Sequence, residues 1–145
     1  VGGSGSFLFV TDLNALTLTT LRIDAATGGL SATAATAPTG AVPSDVTTDP
    51  GGNFVLVANS AGNSVSVFRV DANGALSPVP GSPFAAGTGP SAITVEPNGK
   101  FVYVANSFSS DVSIFSFDAA TGALTPVGQP VPAGQGPAAI VSVRR

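Results

Sequence analysis

Chemistry in this chain falls to carboxylates, amides and hydroxyls, because the sequence holds no histidine and no cysteine. The single glutamate, Glu96, belongs to a Glu-Pro-Asn-Gly turn, so the acid–base inventory reduces to aspartates. Asp45 is the residue best suited to act as a base or a ligand. It stands early in Pro43-Ser-Asp-Val-Thr-Thr48, whose relatives Pro90-Ser-Ala-Ile-Thr-Val95 and Pro137-Ala-Ala-Ile-Val-Ser142 carry alanine there. A departure from a repeat is freer to serve function than a repeated residue; the alternative is a solvated aspartate. Asp12, Asn59 and Asn106 instead recur at one place in every copy. An oxygen at such a place can bond the backbone two residues on and hold a turn. The same three could ring a calcium or magnesium ion, although one carboxylate and two amides are a thin set for a hard cation. Ser44 and Ser91 add hydroxyls beside them, and Phe108 stands in a loop where the other copies have Ala61 and Asn14. Phe108 is either an exposed ligand platform or packed on its own loop. Arg22 and Arg69, replaced by Ser116 in the third copy, suit a cation lying over an apolar neighbour.

Several function classes are disfavoured outright. Charged residues make up only 9%, eight acidic against five basic, so no basic patch exists for a phosphate backbone, and nucleic acid is not an expected partner. No apolar run approaches the roughly 18 residues of a membrane-spanning helix. There is no Gly-x-Ser-x-Gly elbow, no P-loop and no zinc spacing, and Gly2-Gly-Ser-Gly-Ser6 precedes a strand, which makes it a leader rather than a phosphate cradle. A surface of Ser, Thr, Gly, Ala and Asn points to a secreted or periplasmic location. The absence of methionine points to a segment or a processed form.

The elements that must position these groups come from a repeat. Phe101-Val-Tyr-Val-Ala-Asn-Ser107 recurs as Phe54-Val-Leu-Val-Ala-Asn-Ser60 and, more loosely, as Phe7-Leu-Phe-Val-Thr-Asp12, with 47 residues between successive copies. Each module reads as four short strands. A proline-opened strand leads into a turn such as Asp49-Pro-Gly-Gly52, where Gly accepts a positive φ. A strand apolar on both faces follows, and must lie between neighbouring sheets. The third strand, Val112 to Phe117 in the last copy, ends at an aspartate that opens a hairpin loop, as at Asp24, Asp71 and Asp118. The fourth, such as Leu124-Thr-Pro-Val127, carries proline and belongs at a sheet edge. Phe54, Val57, Ile93, Phe101, Val104 and Ile114 are the expected core. The fold class is therefore all-β: a β-propeller of four-stranded antiparallel blades. Blade one covers 7–42 and takes its first strand from another segment, blade two covers 43–89, blade three covers 90–136, and 137–145 supply a circularly permuted closing strand. Ser44, Asp45, Ser91, Asp12, Asn59, Asn106 and Phe108 fall on one face of such a disc, with Glu96 on the other.

The pattern Pro-x-x-Ile, then Asn-Gly-Lys-Phe-Val-Tyr-Val-Ala-Asn-Ser, then Asp-Val-Ser-Ile-Phe and Thr-Gly-Ala-Leu-Thr-Pro resembles the repeats of bacterial lactonase-like propellers. That family contains the propeller-type 6-phosphogluconolactonases and overlaps the YVTN repeat proteins. The resemblance runs from Phe7 to Val143. It implies a partial propeller, since members usually have seven blades, and it brings sugar-lactone hydrolysis into view. Lactone hydrolysis needs a base to activate water and a donor or cation for the oxyanion. With Asp45 as the one catalytic candidate, the residues favour a non-catalytic scaffold or binding module over part of a lactonase. No cofactor is implied.

Three blades are too few to surround an axis. The chain opens on a second strand and closes on a first, so two copies could complete each other head to tail as a six-bladed ring, or the chain could join further blades of a longer propeller.

Overall fold

A computed structural model of the chain describes residues 6–145; of the expected leader at 2–6, residues 2–5 lie outside the described residues and Ser6 already belongs to the first strand. Runs of Val, Ile, Phe and Thr, punctuated by Pro, Gly and Asp, fold into three antiparallel sheets with no helix among the described residues. The first sheet has the order β1 (Ser6–Asp12), β2 (Thr17–Ile23), β3 (Leu30–Pro38). The second runs β4 (Pro43–Thr48), β5 (Phe54–Asn59), β6 (Ser64–Val70), β7 (Leu76–Pro78), with β8 (Phe84–Ala85) also on β6. The third repeats it as β9 (Pro90–Val95), β10 (Phe101–Asn106), β11 (Asp111–Phe117), β12 (Leu124–Pro126), with β13 (Val131–Pro132) on β11. The outer strand of the second and third sheets is thus split in two, since prolines interrupt the ladder.

Turn chemistry follows the sequence closely. The Asp71 carboxylate accepts the N–H groups of Asn73 and Ala75, and Asp118 accepts that of Ala120 at 2.8 Å. Asp49 is buried, and its two oxygens accept the N–H groups of Phe54 and Gly51, closing the β4–β5 turn.

The sheets stack face to face through two cores. Phe54, Leu56, Ala58, Val65 and Val67 of the second sheet meet Ile93, Val95, Val102, Val104, Phe115 and Phe117 of the third. Val55, Val57 and Phe68, on the opposite face of the second sheet, meet Leu18, Ala37 and Phe9 of the first. Every residue of β5 is buried, as a strand between two sheets should be. Phe54 meets the edge of Phe117 at 5.5 Å and carries the Arg69 guanidinium over its ring at 4.6 Å; Arg22 covers Phe7 in the same way at 5.1 Å.

One expectation needs correction. Phe54, Val57, Ile93 and Val104 are buried as expected, but Phe101 and Ile114 are only half-buried. They lie on the face of the third sheet that has no further sheet against it. Pro137–Val143, expected to close a blade supplied by another segment, pairs with no strand of this chain.

Candidate functional site

The innermost strands each begin with an irregularity. Pro43 pairs with Asn59 and Asp45 with Ala58, leaving Ser44 in a bulge; on β9, Ser91 is bulged likewise between Pro90 and Ala92. The bulge turns each hydroxyl away from its own sheet. Ser44 Oγ donates to the Pro90 carbonyl at 2.7 Å and lies 3.2 Å from that of Ala58. Ser91 Oγ reaches the carbonyls of Pro137 at 2.5 Å and Ala105 at 3.1 Å. Ser44 thus clasps β4 to β9, and Ser91 clasps β9 to the segment that begins at Pro137.

Asp45 does the same with a carboxylate. Its Oδ1 accepts the Val46 N–H at 2.9 Å and its Oδ2 accepts the Ile93 N–H, on β9 of the next sheet, at 2.8 Å. Innermost strands have an edge turned away from their own sheet, and Asp45 satisfies one donor on it.

Asn59 and Asn106 differ from Asp12, their counterpart in the first copy. Asp12 Oδ1 accepts the N–H groups of Asn14 and Ala15, both at 2.8 Å, which is the expected turn. Those two bonds, Ala15 first, hold the exposed Asp12 carboxyl below its ordinary range. The two asparagines are fully buried and bond side chains across the hairpin. Asn59 Nδ2 donates to Ser64 Oγ and Ser66 Oγ while its Oδ1 accepts the Gly40 N–H at 3.1 Å. Asn106 Nδ2 donates to Asp111 Oδ1 and Ser113 Oγ, and its Oδ1 meets no donor. A Cβ on Gly40 would sit 2.6 Å from the Asn59 amide, and one on Gly87 would sit 2.4 Å from Asn106 Nδ2, so each asparagine demands a glycine in the connection that precedes its blade. The alignment of Gly40 with Gly87 was the sequence signal for this role, and sequence reasoning missed it.

Phe108 is 76% exposed on the β10–β11 loop. Its ring lies over Gly89, where a Cβ would stand 2.6 Å from Cδ2, and its N–H is held by the Thr88 carbonyl at 3.1 Å. Gly89 has φ 68°, a conformation cheap only for glycine. Its counterpart in the second copy is Val42, which takes φ 56° in the same role: the Ser60 N–H bonds the Val42 carbonyl as the Ser107 N–H bonds that of Gly89.

The arrangement brings Ser44, Asp45 and Ser91 together along β4 and β9 and leaves Asn59 and Asn106 inside their own hairpins. Among the described residues no three of Asp, Glu, His or Cys gather closely enough to hold a metal ion. Glu96 stays at the β9–β10 turn, where its carbonyl accepts the Gly99 N–H. Two equivalent clefts open between sheets, one of about 190 Å³ lined by Pro38, Gly40, Phe68 and Pro83, the other of about 170 Å³ lined by Ala85, Gly87, Phe115 and Pro130.

A family model, Lactonase, 7-bladed beta-propeller, matches residues 1–84 and 43–141. The chain belongs to this family. Solved structures agree with that placement. A candidate 6-phosphogluconolactonase of Bacteroides fragilis superposes with TM-score 0.83 at 25% identity, over 92% of this lactonase-family chain and 37% of its own. A functionally unknown protein of Desulfotomaculum acetoxidans gives TM-score 0.77 at 28% identity, over 88% and 38%. The periplasmic gluconolactonase PpgL of Pseudomonas aeruginosa gives 0.73 at 23%, over 92% and 41%, a likeness of fold. The lactonase-family chain thus spans about two fifths of the length of these relatives. No curated protein matches it.

Proposed function

We propose that this chain is a non-catalytic propeller module, a scaffold or binding surface that joins further blades at its open faces, from a longer chain or from a second copy. One observation carries the reading: both oxygens of Asp45, the candidate base, already accept backbone N–H groups, one of them on the neighbouring sheet. A general base must stand within about 2.6–3.2 Å of the proton it takes, directly or through one water. Asp45 is placed to tie sheets together. Ser44, Ser91 and Asn59 are likewise committed to backbone or hairpin partners. Hydrolysis of glucono-lactone by the chain and by Asp45→Ala tests this. Background rates in both are expected, and turnover that disappears in Asp45→Ala overturns it.

A second reading, part of a sugar-lactone hydrolase, is favoured by the family match and by relatives described as gluconolactonases. Under that reading the groups that act on the lactone come chiefly from other blades. An exported location, secreted or periplasmic, accords with the periplasmic relative and with a surface poor in charge. No helix among the described residues is long and apolar enough to cross a membrane. Fractionation of cells expressing the protein checks the location.

A further inference from the structure

We propose that Arg69 and the cleft beside it form a binding site for a small organic carboxylate, an acid with a short apolar chain. The site lies between the second and third sheets, at the end that carries the Asp49 and Glu96 turns and away from Ser44 and Asp45. The inference goes beyond the module reading and is independent of lactone turnover.

The cleft is open and holds about 270 Å³, between Arg69, Ser77 and the run Pro78-Val79-Pro80 on one side and the β11–β12 hairpin on the other. That is below the roughly 300–1,000 Å³ of pockets for drug-sized ligands and suits a smaller molecule. The local sequence makes both walls. Pro78 and Pro80 lack the N–H that a ladder needs, so β7 ends at Pro78 and pairing on β6 resumes as a strand only at Phe84. Beside Arg22, by contrast, β3 runs unbroken from Leu30 to Pro38. The facing hairpin sits tight on the second sheet because Gly122 has no side chain. A Cβ there would stand 2.5 Å from the Phe54 ring and 2.9 Å from Val79.

The guanidinium is fixed in advance. It lies 4.6 Å from the centre of the Phe54 ring, and its Nη2 donates to the Ala120 carbonyl at 2.6 Å. Among the described residues that bond is its only one to protein, which leaves most of the donor fork unclaimed. A group held in place before binding loses little freedom when a ligand arrives. Ser77 pairs with Arg69 across β6 and β7 and so presents its hydroxyl on the same face. Thr121 brings a second hydroxyl from the hairpin.

One cation calls for one negative charge. A carboxylate is planar and matches the fork with two parallel bonds. A phosphate dianion carries more charge than a lone arginine offsets, and Asp118, kept ionised in the same hairpin by backbone N–H groups, disfavours it further. Pro78, Val79 and Pro80 offer apolar contact to a hydrocarbon tail. Stacking alone does not need such a cleft: Arg22 covers Phe7 at 5.1 Å in the first sheet and serves as the internal control.

Titration of the chain with butyrate at constant ionic strength, followed by nuclear magnetic resonance, tests the site. Saturable shifts are expected at the amides of Ser77, Ala120 and Thr121. Butyramide, of the same shape without the charge, should bind at least about tenfold more weakly, since charge-assisted hydrogen bonds are roughly twice as strong as neutral ones. Arg69→Gln should lose the shifts, whereas Arg22→Gln should keep them. The absence of saturable shifts in the unaltered chain overturns the proposal. So does butyrate binding that survives Arg69→Gln, or butyramide binding as strong as that of butyrate. Inorganic phosphate bound more tightly than butyrate overturns the assignment to a carboxylate. The butyramide comparison uses the unaltered chain, so it decides the question where Arg69→Gln fails to fold.

Discussion

Phe54 and Phe101 occupy one position in successive copies of the repeat, in nearly identical strands, yet the first is fully buried and the second only half so. The central blade has a sheet on each side; the third has one. Burial at this position is set by the neighbouring blade rather than by the strand's own residues. The same contrast separates Val57, fully buried, from Val10, 44% exposed. A solenoid-like stack makes stability a sum of intrinsic and nearest-neighbour contributions, and these pairs isolate the second kind.

The largest effect that would sharpen the contrast is truncation of the two phenylalanines. Phe54→Ala should cost about 3–5 kcal/mol, since it empties a site held by Phe117, Val79 and the Arg69 guanidinium. Phe101→Ala, measured by denaturant unfolding at high dilution, should cost about half as much. The third copy also lacks an arginine over this ring, having Ser116 where Arg69 and Arg22 stand.

The asparagines repeat the comparison at a smaller scale. Asn59→Ala removes the acceptor for the Gly40 N–H and the donor for two serines, and is expected to cost about 2 kcal/mol. Asn106→Ala should cost about 1 kcal/mol, because it also removes an Oδ1 that is buried with no donor. Equal losses on thermal unfolding would break the comparison.

Val42 and Gly89 reverse the direction. Val42→Gly is expected to stabilise by about 0.5–1 kcal/mol: relief of a left-handed backbone, about 1–2 kcal/mol, exceeds the added entropy of the unfolded chain, about 0.4–1 kcal/mol. A lower melting temperature would show that the Val42 side chain itself contributes.

The smallest effects belong to the exposed turns. Asp24 and Asp118 are held below the ordinary value of 3.8, chiefly by the N–H of Thr27 and of Ala120 respectively. A folded-state value lowered in this way stabilises above the ordinary range, and the stabilisation is lost as pH falls through the lowered folded values. Asp118→Asn should therefore flatten the acid limb of the stability curve slightly, and leave stability at neutral pH little changed.

Much of the fold was legible because a 47-residue repeat shows each strand three times over, and because Pro, Gly and Asp mark the turns by their own backbone preferences. The stacking of Arg22 and Arg69 followed from the apolar residue beside each. What stayed hidden depended on contacts between copies. Nothing near Asp45 in sequence announces that its partner is the N–H of Ile93, 48 positions on. The burial of Asn59 and Asn106 follows from glycines 19 positions earlier, visible only when the copies are aligned on their connections rather than on their strands. The half-exposure of Phe101 and Ile114 was unreadable from their strands, which look like any buried pair.

Hydrogen exchange, followed strand by strand, tests most directly whether burial in these blades is set by their neighbours. The account predicts that Phe54–Asn59, covered by a sheet on each side, exchanges most slowly, and that β1, with exposed Leu8 and Val10, exchanges much faster. Exchange at β1 as slow as at Phe54–Asn59 would contradict it.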